Sequence, residues 1–166
     1  MNSLPLDWCA APMQGLLKAR PLLRPEHVLL RAPVTDLRQA FDAIGRRIES
    51  ARGPSAAAIS ERLLRRERHG STVLGQGIAL PHAQVSGLRA PVVAYLRPLR
   101  PIRARPADGQ MVEDLLALLV PKPAAVPHFE LLARLTQLLR DPTVRHELAR
   151  CRTAAAVCEL FALQAA

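Results

Sequence analysis

His82 follows directly on Pro81, at the close of the short apolar run Ile78-Ala79-Leu80, which itself comes after a turn containing Gly75 and Gly77. A proline immediately before it stiffens the backbone, so the imidazole is expected at the end of a strand, held in one place. Upstream, Ile59, Leu63 and Arg66 fall at i, i+4 and i+7. That spacing puts Arg66 on the inward stripe of a helix, with Arg62, Arg65 and Arg68 pointing to other sides. A guanidinium there needs an anionic partner, or else packs its stem while its head reaches water. His128 opens a third helical segment, where free N–H groups and a partial positive charge favour anions. Grouped together, His82, His128 and Arg66 suit a phosphoryl group. His82 would be the nucleophile, His128 would hydrogen-bond the phosphate or orient the ring, and Arg66 would neutralise charge with two parallel bonds. Ser71 and Thr72, with the backbone of the glycine turn, are candidate further donors.

The same residues leave other chemistry open. Two histidines with a carboxylate such as Glu67 are a possible zinc set, although nothing here has HExxH spacing. A serine hydrolase would need a GxSxG elbow, which neither Ser71 nor Ser86 has. Each histidine alone is also compatible with a structural role, the reading given to His27. The three cysteines, Cys9, Cys151 and Cys158, are odd in number and lack CxxC spacing, so they read as small apolar residues rather than a disulfide framework or metal site. Neither a metal nor a cofactor is expected.

These candidates need a scaffold to position them. Asp36 with Gln39 resembles a capping box, and Leu37, Phe41, Ile44 and Ile48 form a helical stripe that should end near Arg52 before Gly53-Pro54. A second helix is expected from Ser55 to about His69, with Gly70 as a left-handed cap. His27 to Leu30, Pro91 to Leu96 and Leu115 to Val120 read as strands, the last two buried on both faces. The third helix spans about His128 to Arg140, with Leu131, Leu132, Leu135, Leu138 and Leu139 on one side. Asp141-Pro142 starts a fourth, and Thr153 caps a last one that buries Val157, Leu160 and Phe161. Residues 1–21 show no clear periodicity and read as an extension before a single domain, 22–166.

Composition bounds the rest. At 166 residues and 49% apolar the chain can bury a core, and with 3% aromatics that core must be aliphatic. No apolar run approaches the ~20 residues of a membrane span, and the N-terminus is a poor signal peptide, so a cytoplasmic protein without membrane insertion is expected. The net charge of +9 suggests nucleic acid at first sight. All the basic residues but Lys18 and Lys122 are arginine, in a chain rich in Ala, Leu and Pro, the usage of GC-rich codons. Arg97, Arg100, Arg103 and Arg105 form the one local run. Without zinc-finger spacing or a stacking platform of aromatics, no nucleic-acid partner is expected.

One stretch goes beyond spacing. Leu64 to His82 resembles the signature of the phosphotransferase-system enzyme IIA family of mannitol/fructose type, including its nitrogen-regulatory branch. The family pattern is approximately L-x-R-E-x-x-G-S-T-x-x-G-x-G-I-A-x-P-H. It is met by Leu64, Arg66, Glu67, Gly70, Ser71, Thr72, Gly75, Gly77, Ile78, Ala79, Pro81 and His82. The likeness continues through Pro101-Ile102, Asp108-Gly109-Gln110 and His128 with LLARLTQLLRD, covering roughly residues 22 to 162.

The resemblance implies an α/β fold, a single domain with a mixed, mostly parallel sheet of about five strands flanked by helices on both sides. It implies that His82 is the phosphorylated histidine, with His128 and Arg66 as the other active-site residues. It implies a phosphotransferase component that takes its phosphoryl group from a histidine phosphocarrier protein, itself charged from phosphoenolpyruvate. Its role would be mainly that of a phosphorylation-dependent regulator acting on target proteins. A relay to a separate IIB protein in fructose or mannitol transport is the alternative, and a binding module that is never phosphorylated is a third. Two departures stand out: Ala83 replaces the family's usual glycine after the active histidine, and VPKPAAVPH makes a proline-rich approach to His128.

Overall fold

The computed structural model describes residues 22–50, 53–104 and 109–165. The expected extension 1–21, with Cys9, lies outside them, as do Arg105 and the expected turn at Ala107-Asp108.

Two caps and one glycine build the first helical pair. Strand β1 (Leu23–Ala32) leads into α1 (Leu37–Ile48), whose N–H at Gln39 donates to Asp36 Oδ1 at 2.8 Å. The return bond of the box reaches one residue further back, from the Thr35 N–H to Gln39 Oε1 at 3.1 Å. α1 ends before the expected Arg52, because Glu49 leaves the helix and its carboxylate accepts the Ala56 N–H at the start of α2 (Ala56–Arg68). A carboxylate suits that position electrostatically. Ser55 caps the same helix through the Ala58 N–H at 3.2 Å. The two helices cross closely at Gly45, where a Cβ would lie 2.5 Å from the Ala56 carbonyl oxygen. At the far end of α2, Gly70 lacks the expected left-handed φ. A right-handed His69 ends the helix instead, its N–H bonding to the carbonyl of Arg66 at 3.1 Å, while the Gly70 N–H bonds to that of Glu67 at 3.3 Å.

The sheet comprises β1, β2 (Val73–Gly75), β3 (Ile78–Ala79), β4 (His82–Val85), β5 (Val92–Pro98) and β8 (Asp114–Pro121); β6 (Ile102–Arg103) and β7 (Met111–Val112) form a separate small ribbon. It is mixed rather than mostly parallel, with six strands rather than about five. β1 runs parallel to β5, and β3 and β4 run parallel to β8, but the central β5–β8 pair and the β2–β3 hairpin are antiparallel. The hairpin turns on Gln76 and Gly77, both at positive φ (52° and 79°), as a tight primed turn requires. β3 and β4 are one strand in all but name: Ile78 pairs Asp114, Ala79 pairs Leu115, and His82 resumes opposite Leu118 without a change of register. Pro81, which has no N–H to donate, makes the interruption, while its carbonyl still accepts from Leu118 N–H at 2.9 Å. His82 therefore opens a strand segment rather than closing one.

Helices cover both faces, as expected. Leu115, Ala117 and Leu119 of β8 pack with Phe41, Ile44, Ile59 and Leu63 of α1 and α2. Leu116, Leu118 and Val120 pack on the other side. There they meet α3 (Val126–Arg140), α4 (Pro142–Arg150) and α5 (Ala154–Ala165) through Leu131, Leu135, Leu148 and Val157. Asp141 and Thr153 accept the N–H groups of Thr143 and Ala156, as their positions predict. Arg97 ties the sheet to α4, donating to Asp114 Oδ1 at 2.8 Å and to the carbonyls of Cys151 (2.8 Å) and Leu148 (2.7 Å). Tyr95 donates its hydroxyl to the same Asp114 carboxylate. Among the described residues no helix is long and apolar enough to cross a membrane.

Candidate functional site

The interrupted strand places His82 at the sheet edge. β4 pairs with β8 alone, so a side chain from the α2 layer can reach around it. Arg66, in the last turn of α2, does so: its Nε donates to His82 Nε2 at 3.1 Å, and one terminal nitrogen donates to the Gly70 carbonyl at 2.9 Å.

The other ring nitrogen of His82 fixes the tautomer. Nδ1 lies 2.9 Å from the Leu80 carbonyl oxygen, which can only accept, so Nδ1 carries the proton and Nε2 keeps its lone pair. Burial is the main influence lowering this histidine below the ordinary imidazole value, and the positive charge of Arg66 acts in the same direction; the Leu80 bond and the charge of Glu67 oppose them in part. His82 is thus held neutral, with a nucleophilic nitrogen beside a cation.

His128 is held in the opposite sense. The Ala125 N–H donates to its Nδ1 at 2.9 Å, so the ring takes the place of a capping-box glutamate at the third position of α3. Its proton then sits on Nε2, making that atom a donor. The proline-rich approach is fastened by the Ala124 N–H bonding to Gln84 Oε1 at 3.2 Å. His82, His128 and Arg66 line one cavity of about 420 Å³.

Ser71 and Thr72 are not among the cavity-lining residues, and their hydroxyls have other partners. Thr72 donates from both N–H and Oγ1 to Glu67 Oε2, at 3.0 and 2.5 Å, and Ser71 Oγ accepts from the Val73 N–H. The buried charge on the inward stripe of α2 is Glu67, at 7% exposure, whereas Arg66 sits at the stripe's edge. Ala83 packs into the core cluster of α1 and α2, so the methyl that replaces the usual glycine is accommodated.

Sequence reasoning missed several lining residues. Arg62, Arg65 and His69 share the cavity with Arg66, and Lys122 and Phe129 stand at it from the other side. The signal was present: 62, 65, 66 and 69 are i, i+3, i+4 and i+7, one helical face. Only Arg68 of the three arginines expected to point elsewhere is absent from the lining. Among the described residues no group of His, Cys, Asp and Glu could hold a metal ion.

The family profile described as "Phosphoenolpyruvate-dependent sugar phosphotransferase system, EIIA 2" matches residues 21–163. The chain belongs to that family. Enzyme IIA proteins of this family carry a phosphoryl group on a histidine. The chain is 34% identical over 142 residues to a "Nitrogen regulatory protein" of Bradyrhizobium diazoefficiens, covering 86% of this chain and 93% of that one. The crystal structure of the nitrogen regulatory protein IIA-Ntr from Neisseria meningitidis matches with a TM-score of 0.78 at 31% identity, covering 84% of this chain and 96% of that one. The mannitol enzyme IIA of Escherichia coli, solved in complex with phosphorylated mannitol enzyme IIB, shares the fold with a TM-score of 0.67 at 20% identity, covering 84% and 96%.

Proposed function

We propose that this enzyme IIA accepts a phosphoryl group on Nε2 of His82 from the phosphohistidine of a histidine phosphocarrier protein, and that its phosphorylation state governs its binding to regulatory target proteins. One observation carries the site assignment: Nδ1 of His82 is committed to the Leu80 carbonyl, which leaves the lone pair of Nε2 in the cavity beside Arg66. The lone pair forms the new N–P bond as the carrier's N–P bond breaks, and the released electron pair returns to the carrier's imidazole. Nδ1 keeps its proton, and the positive charge developing on the ring is taken up by the Leu80 oxygen. Arg66 gives up its bond to Nε2 and turns its N–H groups to the phosphoryl oxygens, which the Nε2–H of His128 meets from the other side. Thr72 supports this site indirectly, by fixing the turn through Glu67, and Ser71 does so by accepting the Val73 N–H.

The regulatory role rests on the likeness to nitrogen regulatory proteins along nearly their whole length. A second reading, relay of the group to a separate IIB protein in sugar transport, is favoured by the family's description and by the mannitol IIA–IIB complex. On either reading the protein works in the cytoplasm, where the carrier is charged, with 22–166 as the working domain and 1–21 as an extension. Incubation with phosphoenolpyruvate, enzyme I and phosphocarrier should give an acid-labile phosphoform that His82→Ala lacks. Label persisting in His82→Ala would overturn the site, and rapid onward transfer to a IIB protein would favour the second reading.

A further inference from the structure

The two ring nitrogens of His82 answer to two consecutive residues of α2. Arg66 reaches Nε2 directly. Glu67 reaches Nδ1 through the turn and hairpin that lie between them. Its Oε2 accepts the Thr72 N–H at 3.0 Å and the Thr72 hydroxyl at 2.5 Å. The Thr72 carbonyl accepts the Leu80 N–H at 2.9 Å, and the Leu80 carbonyl accepts the proton on Nδ1 at 2.9 Å. Thr72 precedes β2 and Leu80 follows β3, so the middle bond closes the open end of the hairpin. The base of the hairpin is thereby tied to α2 at Glu67.

Glu67, Thr72 and Leu80 are all buried, and none of them lines the cavity. Water therefore competes little for these bonds, and an ionised acceptor holds its donors about twice as strongly as a neutral one. The link runs through the backbone of residue 72, and its hydroxyl adds a second anchor. Its far end matters most, because the Leu80 carbonyl keeps the proton of His82 on Nδ1. A Leu80 peptide that is free to drift lets that proton move to Nε2, where an imidazole has no lone pair left for phosphorus.

We propose that Glu67 is a positioning residue for phosphoryl transfer: it anchors Thr72 and, through the Thr72–Leu80 bond, the carbonyl that fixes the tautomer of His82. The inference rests on the reading of His82 as phosphoacceptor and adds the residue that prepares its lone pair. Glu67 also acts through its charge. Burial foremost, and Arg66 with it, lower the proton affinity of His82, whereas the Leu80 bond and the Glu67 carboxylate raise it. The other charged or titratable groups at the cavity are Arg62, Arg65 and His69 on the α2 side, Lys122 beyond β8 and His128 of α3.

Glu67→Gln keeps the size and an acceptor oxygen but removes the charge. Transfer from labelled phosphocarrier across pH, nitrogen NMR of the His82 ring and melting temperature are compared with wild type. Transfer should slow roughly 5- to 13-fold, the weight of one ordered hydrogen bond. The acid limb should move to lower pH, opposite in direction to the loss of the Arg66 charge, and the Nε2–H tautomer should become populated. Slower transfer with the acid limb and tautomer of the wild type reduces Glu67 to a stability role and overturns the proposal, as does a variant indistinguishable from wild type. A test on the wild type needs no variant: the Nδ1–H of His82 and the amide protons of Thr72 and Leu80 should share one opening equilibrium in hydrogen exchange. Three unrelated equilibria overturn the link even where Glu67→Gln does not fold. A wild type that takes no label on His82 overturns the functional reading instead; the tautomer and exchange measurements, made without phosphate, keep the two failures apart.

Discussion

On the proposed mechanism, replacing Arg66 with alanine removes a group that holds His82 before reaction and the phosphoryl oxygens during it, and the two effects oppose each other. In the resting site its Nε bonds to the very lone pair that must attack phosphorus. Freeing that lone pair favours reaction by up to ~1.5 kcal/mol, the scale of a modest hydrogen bond to a charged group. Losing preorganised charge at the developing phosphoryl oxygens costs about 3–4 kcal/mol, by analogy with removal of one oxyanion-hole donor. The balance, ~1.5–2.5 kcal/mol, is a slowing of roughly 10- to 70-fold at 1.36 kcal/mol per decade. Arg66→Lys keeps a charge but not the two-pronged reach to Nε2 and the Gly70 carbonyl, so its rate falls between. The assay is rapid-quench transfer from labelled phosphocarrier, with circular dichroism as the control on folding. The pH profile adds a second, independent readout. Attack requires neutral His82, whose proton affinity is lowered first by burial and then by the Arg66 charge, so the acid limb of the wild type should lie below the ordinary 6.5. Without Arg66 that limb moves up towards 6.5. The linkage has the matching sign: the unfolded chain binds this proton more tightly, so stability present above 6.5 is lost as pH falls towards the folded value. A rate unchanged in Arg66→Ala, or an acid limb that does not move, refutes the role assigned to the guanidinium.

Three further outcomes test the surrounding scaffold. His128→Gln keeps a capping-box acceptor for the Ala125 N–H and should hold its melting temperature better than His128→Ala, which loses ~1 kcal/mol of capping; both should slow phosphoryl transfer, and equal melting temperatures would contradict the capping role. Thr72→Val removes the Oγ1 bond to Glu67 and should lower stability by ~1–2 kcal/mol in a urea titration while leaving kcat within about twofold; a loss of kcat without a loss of stability would instead make Thr72 a phosphate ligand. Arg97→Leu leaves the Asp114 carboxylate without its counter-charge and two carbonyls at the end of α4 without their donor. It should cost about 3 kcal/mol, roughly 6–12 °C of melting temperature in a chain this size, checked by scanning calorimetry; a melting temperature within 2 °C would show that the network is replaceable.

Local rules made much of this molecule legible. Asp36, Ser55, Asp141 and Thr153 all accept the N–H groups that their positions at helix starts predict, because a cap depends on a few consecutive residues. The unbroken apolar runs at Pro91–Leu96 and Leu115–Val120 announced strands covered on both faces. Strand direction was less accessible: an apolar run in the middle of a sheet looks alike whether its neighbour is parallel, as β1 is to β5, or antiparallel, as β8 is. The cavity shows the same limit. Spacing grouped His82, His128 and Arg66, but placed Arg66 on the inward stripe, although Glu67 is the residue that enters the core. One helical step separates those two assignments, and it decides whether Arg62 and Arg65 face the site. Thr72 was readable as a phosphate donor only until its carboxylate partner five residues back came into view.

The unbroken register of β3 and β4 along β8 has a consequence for what phosphorylation can move. Active-site loops commonly swing their reactive group, but here the proposed acceptor, His82, is stitched in place on either side of Pro81: Leu80 bonds to the Thr72 carbonyl, and Pro81 and His82 bond to or pair with Leu118 of β8. The imidazole therefore behaves as a fixed post. Any change a partner senses on phosphorylation must come from what surrounds the post: the Arg66 side chain leaving Nε2, and the first turn of α3 that His128 caps. A deletion of one residue between Ile78 and His82 would not shorten a loop; it would turn the histidine to the opposite face of the sheet, into the layer of α1 and α2, where no phosphodonor could reach it.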